Sequence, residues 1–196
     1  MMTESKRTNA WILAGLLFVL LCAHLPLVYT MFYHNLMGAP TAESGTMDVT
    51  GVSPVKSIVL DGDWAFYWSR LIDDKPEQTG SPDFLIRVPH YWSSYKIDGN
   101  YLPSAGFASY QLTVKGLTSS NPVTVCVPDF GSAYRVFIDG ELASESGVVS
   151  EQTANVFTTT KAKLYPVTLS AAPEHKIVIE VATTRFSGLY MAPVLK

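Results

Sequence analysis

The sequence predicts an all-β fold, an antiparallel jelly roll or β-sandwich, preceded by one N-terminal transmembrane helix. From Ser57 onward, short runs of alternating apolar and polar residues, rich in Val, Ile, Tyr, Phe and Thr, recur between turn residues. About eight or nine such runs fit a sandwich or jelly roll. Before them, residues 11–33 contain no Asp, Glu, Lys or Arg. This second observation predicts the helix.

The apolar N-terminal run is long enough to span a bilayer. At about 1.5 Å per residue, residues 11–33 cross a hydrocarbon core of about 30 Å. Trp11 at one end and Tyr29, Phe32 and Tyr33 at the other are typical of interfacial anchors. Lys6 and Arg7 precede the run, and no Lys or Arg follows until Lys56, which places residues 1–10 in the cytoplasm and the remainder outside it. A cleaved signal peptide is the alternative.

The exported part divides into a lead-in and a domain. Residues 34–56 are rich in Gly, Ser, Thr and Pro and predict a linker or a loose lead-in strand, so that the domain comprises residues 57–196. Its strand-like runs are, in chain order, SIVLDGDWAFYWSRL, FLIRVP, FASYQLTVKG, VTVCVP, AYRVFIDG, ELASESGVV, KLYPVTL and HKIVIEVAT. Asp139 and Gly140 separate two of them by two residues, as a tight hairpin requires.

Strand alternation assigns faces to two of these runs. In LDGDWAFYW, Trp64, Phe66 and Trp68 share one face, and burial of such large aromatic side chains favours a core wall over a ligand platform. In AYRVFIDG, Val136 and Ile138 point to the predicted core, which directs Arg135 to the other face. There Arg135 either meets a ligand or pairs with a carboxylate such as that of Asp129 or Glu145.

Composition and residue spacing argue against several functions. The formal net charge is -3, and the 14 Lys and Arg residues are dispersed, which argues against nucleic-acid binding. Cys22 and Cys126 form neither a predicted disulfide nor a metal motif, and the four histidines have no metalloprotease spacing. A glycosidase would need a catalytic pair of carboxylates, for which Asp61 and Asp63 are the candidates. Their position two residues apart at the start of a strand instead favours side-chain hydrogen bonds that stabilise a turn. We therefore expect no catalysis, cofactor or metal.

The candidate ligand-binding residues lie mainly in one loop region. Tyr91, Trp92 and Tyr95 fall within a stretch rich in Ser, Gly, Asn and Pro, and loops on a rigid sandwich commonly carry binding. Trp92 alternatively folds back to cap the sandwich. Arg135, Glu145 and Arg185 complete the predicted set, on the expectation that all reach one end of the sandwich.

An ordered set of motifs carries a family resemblance over roughly residues 59–195. These are LDGDWAFYW, VPHYWSSY, YQLTV, VPDFGSAYRVFIDGELASESGVVSE, IVIEVAT and SGLYMAPVL. They resemble the galactose-binding-like jelly-roll domain at the start of family-two glycoside hydrolases such as β-galactosidases. They resemble still more the extracytoplasmic sensor domain of bacterial seven-transmembrane receptors with diverse intracellular signalling modules.

This resemblance implies a function and a location. It implies a periplasmic domain, anchored in the bacterial inner membrane, that recognises a small polar molecule or carbohydrate. The signal would pass to an output such as a diguanylate cyclase or histidine kinase, located beyond these 196 residues or on a partner protein. The alternative from a different class is a protein-interaction or dimerisation module that binds no small ligand.

Overall fold

The computed structural model describes residues 39–52, 57–72, 80–186 and 188–196. All of these except Ala39 belong to one compact unit, Pro40–Lys196. The predicted transmembrane helix at residues 11–33 lies outside the described residues. Among the residues with a described position, no helix is long and apolar enough to cross a membrane.

Within the described residues, regular secondary structure is almost entirely β-strand, as the alternation predicted. Two short 3₁₀ turns occur at Trp92–Ser94 and Thr153–Asn155. The strands, in chain order, are β1 (Thr46–Asp48), β2 (Ile58–Val59), β3 (Gly62–Trp68), β4 (Phe84–Val88), β5 (Lys96–Ile97), β6 (Asn100–Tyr101), β7 (Gly106–Lys115), β8 (Val125–Cys126), β9 (Ala133–Ile138), β10 (Glu141–Ser146), β11 (Lys163–Leu164), β12 (Glu174–Thr183) and β13 (Val194–Leu195).

Two sheets form the layers of a β-sandwich. The large sheet has eight strands in the order β11-β10-β9-β12-β7-β3-β4, with β1 paired to β7 in addition. The second layer contains a three-stranded sheet, β2-β13-β8, together with the loops around it, and β5 and β6 form a separate hairpin. Among the strands of the described residues, all pairings are antiparallel except that of β1 with β7, which is parallel; the isolated bridge between Ala42 and Gly62 is parallel as well.

The core lies between the two layers. From the large sheet it includes Trp64, Phe66, Val136 and Ile138, all without solvent exposure. Leu195 of the small sheet packs in the same cluster. The face assignments made from strand alternation are therefore confirmed for both runs.

The outer face of the large sheet carries a smaller apolar cluster. It consists of Ala65, Tyr67, Ile72, Phe137 and Val178, with Leu142 packed against it. Phe66 and Tyr67 point to opposite faces of the large sheet, as strand alternation requires. Phe66 therefore packs in the main core, and Tyr67 packs in this second apolar cluster. Ser109 ties Ile72 to this face, because its Oγ accepts the Ile72 amide (3.2 Å) and donates to the Arg70 carbonyl (2.8 Å).

Part of the predicted linker belongs to the folded unit. Met47 and Val49 are 0% and 2% exposed, and β1 pairs with the end of β7 through Thr46 opposite Thr113. The domain therefore starts near Pro40 rather than at residue 57. The lead-in strand was one of the two alternatives for this segment, but nothing in the sequence indicated that it belongs to the folded domain, because a strand of three residues, paired with a segment far along the chain, leaves no periodicity to detect.

Candidate functional site

The six residues predicted to bind a ligand fall into three separate regions. Tyr91, Trp92 and Tyr95 lie on the segment that follows β4, Arg135 and Glu145 lie on the outer face of the large sheet, and Arg185 lies in the loop after β12.

Tyr91 is the predicted aromatic that remains available to a ligand. Its side chain is 50% exposed, and its ring stacks on that of Tyr190 with 4.9 Å between centroids and 27° between planes. Tyr190 in turn meets the buried ring of Phe130 edge-on at 6.1 Å and 90°. We call Tyr91, Tyr190 and Phe130 the aromatic cluster. An open ring face backed by further rings suits the apolar C–H face of a sugar or another small ring compound.

Hydrogen bonds fix the loops that form the aromatic cluster. The His90 amide donates to the Leu189 carbonyl at 2.9 Å, and the Tyr190 hydroxyl donates to the Phe130 carbonyl at 3.0 Å. Burial raises the pKa of the Tyr190 hydroxyl, with smaller contributions from Tyr91 and Asp129. The hydroxyl therefore stays protonated and keeps donating at ordinary pH. The cluster is preorganised by the fold.

Trp92 belongs to the core in this structure. It is 0% exposed, its Nε1 donates to the Pro103 carbonyl at 2.8 Å, and its ring meets that of Trp68 edge-on at 5.2 Å. This is the capping role that the sequence left open as the alternative to binding. A ligand has no access to Trp92 without local opening of the sandwich.

Tyr95 is largely committed to internal contacts as well. Its ring stacks on Phe84 with centroids 5.4 Å apart and 8° between planes, and its hydroxyl accepts the Arg87 amide at 2.9 Å. The Arg87 amide lies on β4, so Tyr95 satisfies a backbone donor there. Its position in the structure is that of a packing residue.

Arg135 pairs with a carboxylate that the sequence did not identify. Its Nε and Nη2 both donate to one carboxylate oxygen of Glu180, at 2.9 Å and 2.5 Å. Glu180 is 0% exposed, whereas the Arg135 side chain is 32% exposed. Charge-assisted hydrogen bonds of this kind offset part of the free-energy cost of burying the carboxylate.

Glu145 lies beside Arg135 but bonds elsewhere. It is directly opposite Arg135 in the β9–β10 register, yet its carboxylate accepts Lys163 Nζ at 3.0 Å and the Tyr165 hydroxyl at 2.9 Å. The hydrogen bonds from Lys163 and then Tyr165 lower the pKa of Glu145. These groups extend a row of register neighbours across the outer face: Tyr67, Ser109, Glu180, Arg135, Glu145 and Lys163.

Arg185 lies on the same loop as Tyr190. Its side chain is exposed, and its amide donates to Thr183 Oγ1 at 3.2 Å. The next residue, Phe186, covers Gly131, since a Cβ there would come within 2.7 Å of the Phe186 ring. The Arg185 loop and the segment that carries Phe130 therefore pack together. Of the six predicted residues, Tyr91 is therefore a member of the aromatic cluster, and Arg185 is an exposed residue of the loop that carries Tyr190.

The structure gives no metal centre in the part of the chain that it describes. No group of three or more His, Cys, Asp or Glu residues there has the proximity to hold a metal ion. Asp63 forms a 3.8 Å ion pair with Arg87. The carbonyl of Asp61 accepts the Ala42 amide at 2.8 Å.

Two clefts occur on another part of the domain. One, of about 210 Å³, lies among Val49, Val52, Ile58, Leu117 and Leu195. A wider groove of about 880 Å³ lies between residues 117–121 and 169–173. None of the six predicted residues lines either cleft.

The sequence alone did not reveal the full aromatic cluster. Neither Tyr190 nor Phe130 was among the six residues predicted to bind a ligand. The motif SGLYMAP held the available signal, because a glycine and a proline that enclose a short segment after a long strand indicate a loop, and this loop contains a tyrosine. Phe130 gave no such signal, since an isolated aromatic beside a turn is typical of core.

Comparison with solved structures supports the fold. A calcium-binding mutant of β-glucuronidase 2 from Bacteroides uniformis matches with a TM-score of 0.52 and 16% identity, over 71% of this chain and 18% of that chain. The Faecalibacterium prausnitzii β-glucuronidase matches with a TM-score of 0.52 and 14% identity, over 71% of this chain and 31% of that one. Ruminococcus gnavus β-glucuronidase in complex with D-glucuronic acid matches with a TM-score of 0.52 and 13% identity, over 71% and 29%.

These similarities concern a domain and not a whole enzyme. The chain spans less than a third of each of these three proteins. No protein-family model and no curated protein matches the sequence. The likeness therefore shows a β-sandwich of the kind found in glycoside hydrolases, and the predicted link to their sugar-binding-like domain holds at the level of fold.

Proposed function

We propose that residues 40–196 form a non-catalytic, extracytoplasmic ligand-recognition domain that binds a carbohydrate or another small polar ring compound. In this proposal the segment 11–33 anchors the domain in the bacterial inner membrane, and binding controls a signalling output. The motifs that resemble receptor sensor domains support the sensory part. The glycoside-hydrolase-like fold supports the choice of ligand class.

The observation that carries the proposal is the exposed Tyr91–Tyr190 stack. Tyr91 presents half of its surface to solvent while its ring is held at 4.9 Å from Tyr190 by loops that are themselves hydrogen-bonded. A ligand that stacks here finds its platform already ordered, so little conformational entropy opposes binding. Arg185, on the same loop as Tyr190, adds a hydrogen-bonding cation.

The test is a binding screen with matched variants of the full chain. Purified protein in detergent is titrated against a panel of neutral sugars, uronic acids and amino sugars, with thermal shift and calorimetry as readouts. For any ligand found, Tyr91→Ala should weaken binding about tenfold, because a lost aromatic contact of about 1.4 kcal/mol corresponds to that factor.

Tyr101→Ala is the matched control for this screen. Tyr101 is 66% exposed on the β5–β6 hairpin, where the Lys96 ammonium lies 4.4 Å from the centroid of the Tyr101 ring. The proposal predicts that its loss leaves binding unchanged. Stabilisation by no member of the panel, or equal weakening by both variants, would argue against the aromatic cluster as the binding site.

A second candidate function is protein interaction, favoured by exposed apolar residues along β10 and β11. Val148 and Phe157 form an isolated bridge beyond β10 and are 51% and 62% exposed. Leu164 and Tyr165, beside β10, are 47% and 37% exposed. If this flank binds a partner or a second copy, sedimentation of the full chain should show an association that Phe157→Ser abolishes and Tyr91→Ala leaves intact.

A further inference from the structure

We propose that residues 188–193, here called the strap, couple the aromatic cluster to the N-terminal start of the domain. The strap carries Tyr190 at one end and reaches the segment around Ala42 through backbone hydrogen bonds at the other. The regulatory meaning of this coupling rests on the proposed function. The coupling itself is a property of the fold and is testable without a ligand.

At its first end the strap is held from three sides. The Leu189 amide donates to the buried Tyr110 hydroxyl at 3.2 Å, and the Leu189 carbonyl accepts the His90 amide at 2.9 Å. The Tyr190 hydroxyl donates to the Phe130 carbonyl at 3.0 Å. The strap therefore contacts β7, the segment after β4 and the segment before β9. A ligand that displaces the Tyr190 ring shifts a backbone with fixed partners.

At its second end the strap binds the chain entering β3. The Pro193 carbonyl accepts the Leu60 amide at 2.8 Å. The backbone carbonyl of the next residue, Asp61, accepts a hydrogen bond from the Ala42 amide at 2.8 Å. The Ala42 carbonyl in turn accepts a hydrogen bond from the Asp63 amide at 2.8 Å. One hydrogen bond thus joins Pro193 to Leu60, and two more join Ala42 to Asp61 and Asp63, the residues that follow Leu60 at the start of β3.

Gly62 is the residue that permits this junction. Its φ is +108°, and a Cβ there would lie within 2.5 Å of the Ala42 amide nitrogen and closer still to its carbonyl oxygen. The glycine in LDGDW therefore allows the N-terminal segment to lie directly against β3. Only residues 34–41 separate Ala42 from the end of the predicted transmembrane helix. In the sequence, Ala42 is therefore only a few residues from the proposed anchor.

Gly188 offers a specific means of loosening the strap. Its φ is +85°, and a Cβ there would lie 2.7 Å from Trp92 Cε3 and in severe overlap with the Tyr110 hydroxyl. Both are buried and rigidly packed, so that Gly188→Ala forces the strap outward. Gly140→Ala is the matched control, because Gly140 has a φ of +84° but no atom within 4 Å of a Cβ. Both variants carry the same backbone strain, and only one displaces the strap.

The test is amide hydrogen exchange at single-residue resolution on the full chain in detergent. Gly188→Ala should speed exchange at Leu60, Ala42 and Asp63 by about tenfold or more relative to Gly140→Ala, since local opening sets these rates. The Ile179 amide, in the middle of β12, should not change. Faster exchange at His90 and Leu189 with unchanged exchange at Leu60 and Ala42 would overturn the proposal.

A second variant keeps the test decisive if Gly188→Ala unfolds the domain or speeds exchange at Ile179. Tyr110→Phe removes the acceptor of the Leu189 amide without adding volume. It should also speed exchange at Leu60 and Ala42, by a smaller factor than Gly188→Ala does. An increase confined to Leu189 overturns the coupling. Failure of every sugar to bind would refute the proposed ligand class and leave these exchange results unaffected.

Discussion

Tyr110 shows how one buried hydroxyl links structure to pH. It is 0% exposed, and it accepts the Leu189 amide at 3.2 Å. Burial raises its pKa far above the ordinary value of 10.0, and the Leu189 hydrogen bond opposes this only in part. The neutral hydroxyl is thus the form that the fold accommodates.

The raised pKa of Tyr110 predicts alkaline destabilisation. The group has a higher pKa in the folded than in the unfolded state, so its contribution to stability is complete below about pH 10 and is lost as pH rises above it. Above pH 10, we expect the midpoint of urea unfolding to decrease more steeply with pH for the wild type than for Tyr110→Phe. Equal slopes from pH 9 to 11 would show that Tyr110 is not the responsible group.

Substitution of the adjacent residues Tyr91 and Trp92 should lower the stability of the domain by very different amounts. Trp92→Ala empties a core site and should cost about 3–5 kcal/mol of unfolding free energy. Tyr91→Ala removes a half-exposed ring and should cost under about 1 kcal/mol. Chemical denaturation of both variants checks this difference. A large loss for Tyr91→Ala would mean that its stack with Tyr190 holds the loops together rather than serving a ligand.

These two residues also mark a limit of sequence-based prediction. In a loop without periodicity, two adjacent aromatics give no indication of which one points inward. The direction of the Trp92 side chain depends on its hydrogen bond to the Pro103 carbonyl and on the close approach of Gly188, which is distant along the chain. Within β3 and β9, by contrast, alternation of two residues per repeat fixed each side chain's face in advance.

At the level of elements, local pairing was predictable and distant pairing was not. Asp139 and Gly140 both adopt positive φ, 51° and 84°, as a two-residue turn of the mirror-image type requires. That hairpin follows from its own few residues. Strand β1 depends on β7, and Arg135 depends on Glu180 rather than on the predicted Asp129 or Glu145. These pairings join segments that are far apart in the sequence, so no local pattern of residues predicts them.

Strand β1 predicts a sharp boundary for the minimal domain. A fragment of residues 40–196 should fold, whereas one of residues 57–196 should lose several kcal/mol, since removal of the buried Met47 and Val49 costs about 2–5 kcal/mol for a single large side chain. Circular dichroism with thermal melts compares the two fragments. Equal melting temperatures would show that β1 is dispensable and that residues 34–56 act as a linker, as the sequence first suggested.

For the whole molecule, the proposed membrane arrangement depends on charges at the extreme N-terminus. Lys6 and Arg7 precede the apolar run, and the next basic residue is Lys56. Lys and Arg near a membrane segment favour the cytoplasmic side, whereas Asp and Glu have little influence on orientation, and we therefore propose that this asymmetry directs the domain outward. The coupling inferred between strap and Ala42 has a sensory use only if the domain does lie on that side.

A topology reporter tests this arrangement together with its cause. Alkaline phosphatase fused after Lys196 folds only outside the cytoplasm and should be active in the wild type. Lys6→Glu with Arg7→Glu should reduce that activity several-fold, because it reverses the charge bias across the segment. Lys96→Glu with Lys161→Glu makes the same change in net charge on exposed positions of the folded domain and should leave activity unchanged.

Basic residues determine the orientation only when they lie near the membrane segment. Equal loss of phosphatase activity in both double variants would therefore mean that the loss comes from impaired folding and not from a changed orientation. An inactive wild-type fusion, with an active cytoplasmic fluorescent fusion at the same site, would place the domain inside the cell and exclude an extracytoplasmic ligand.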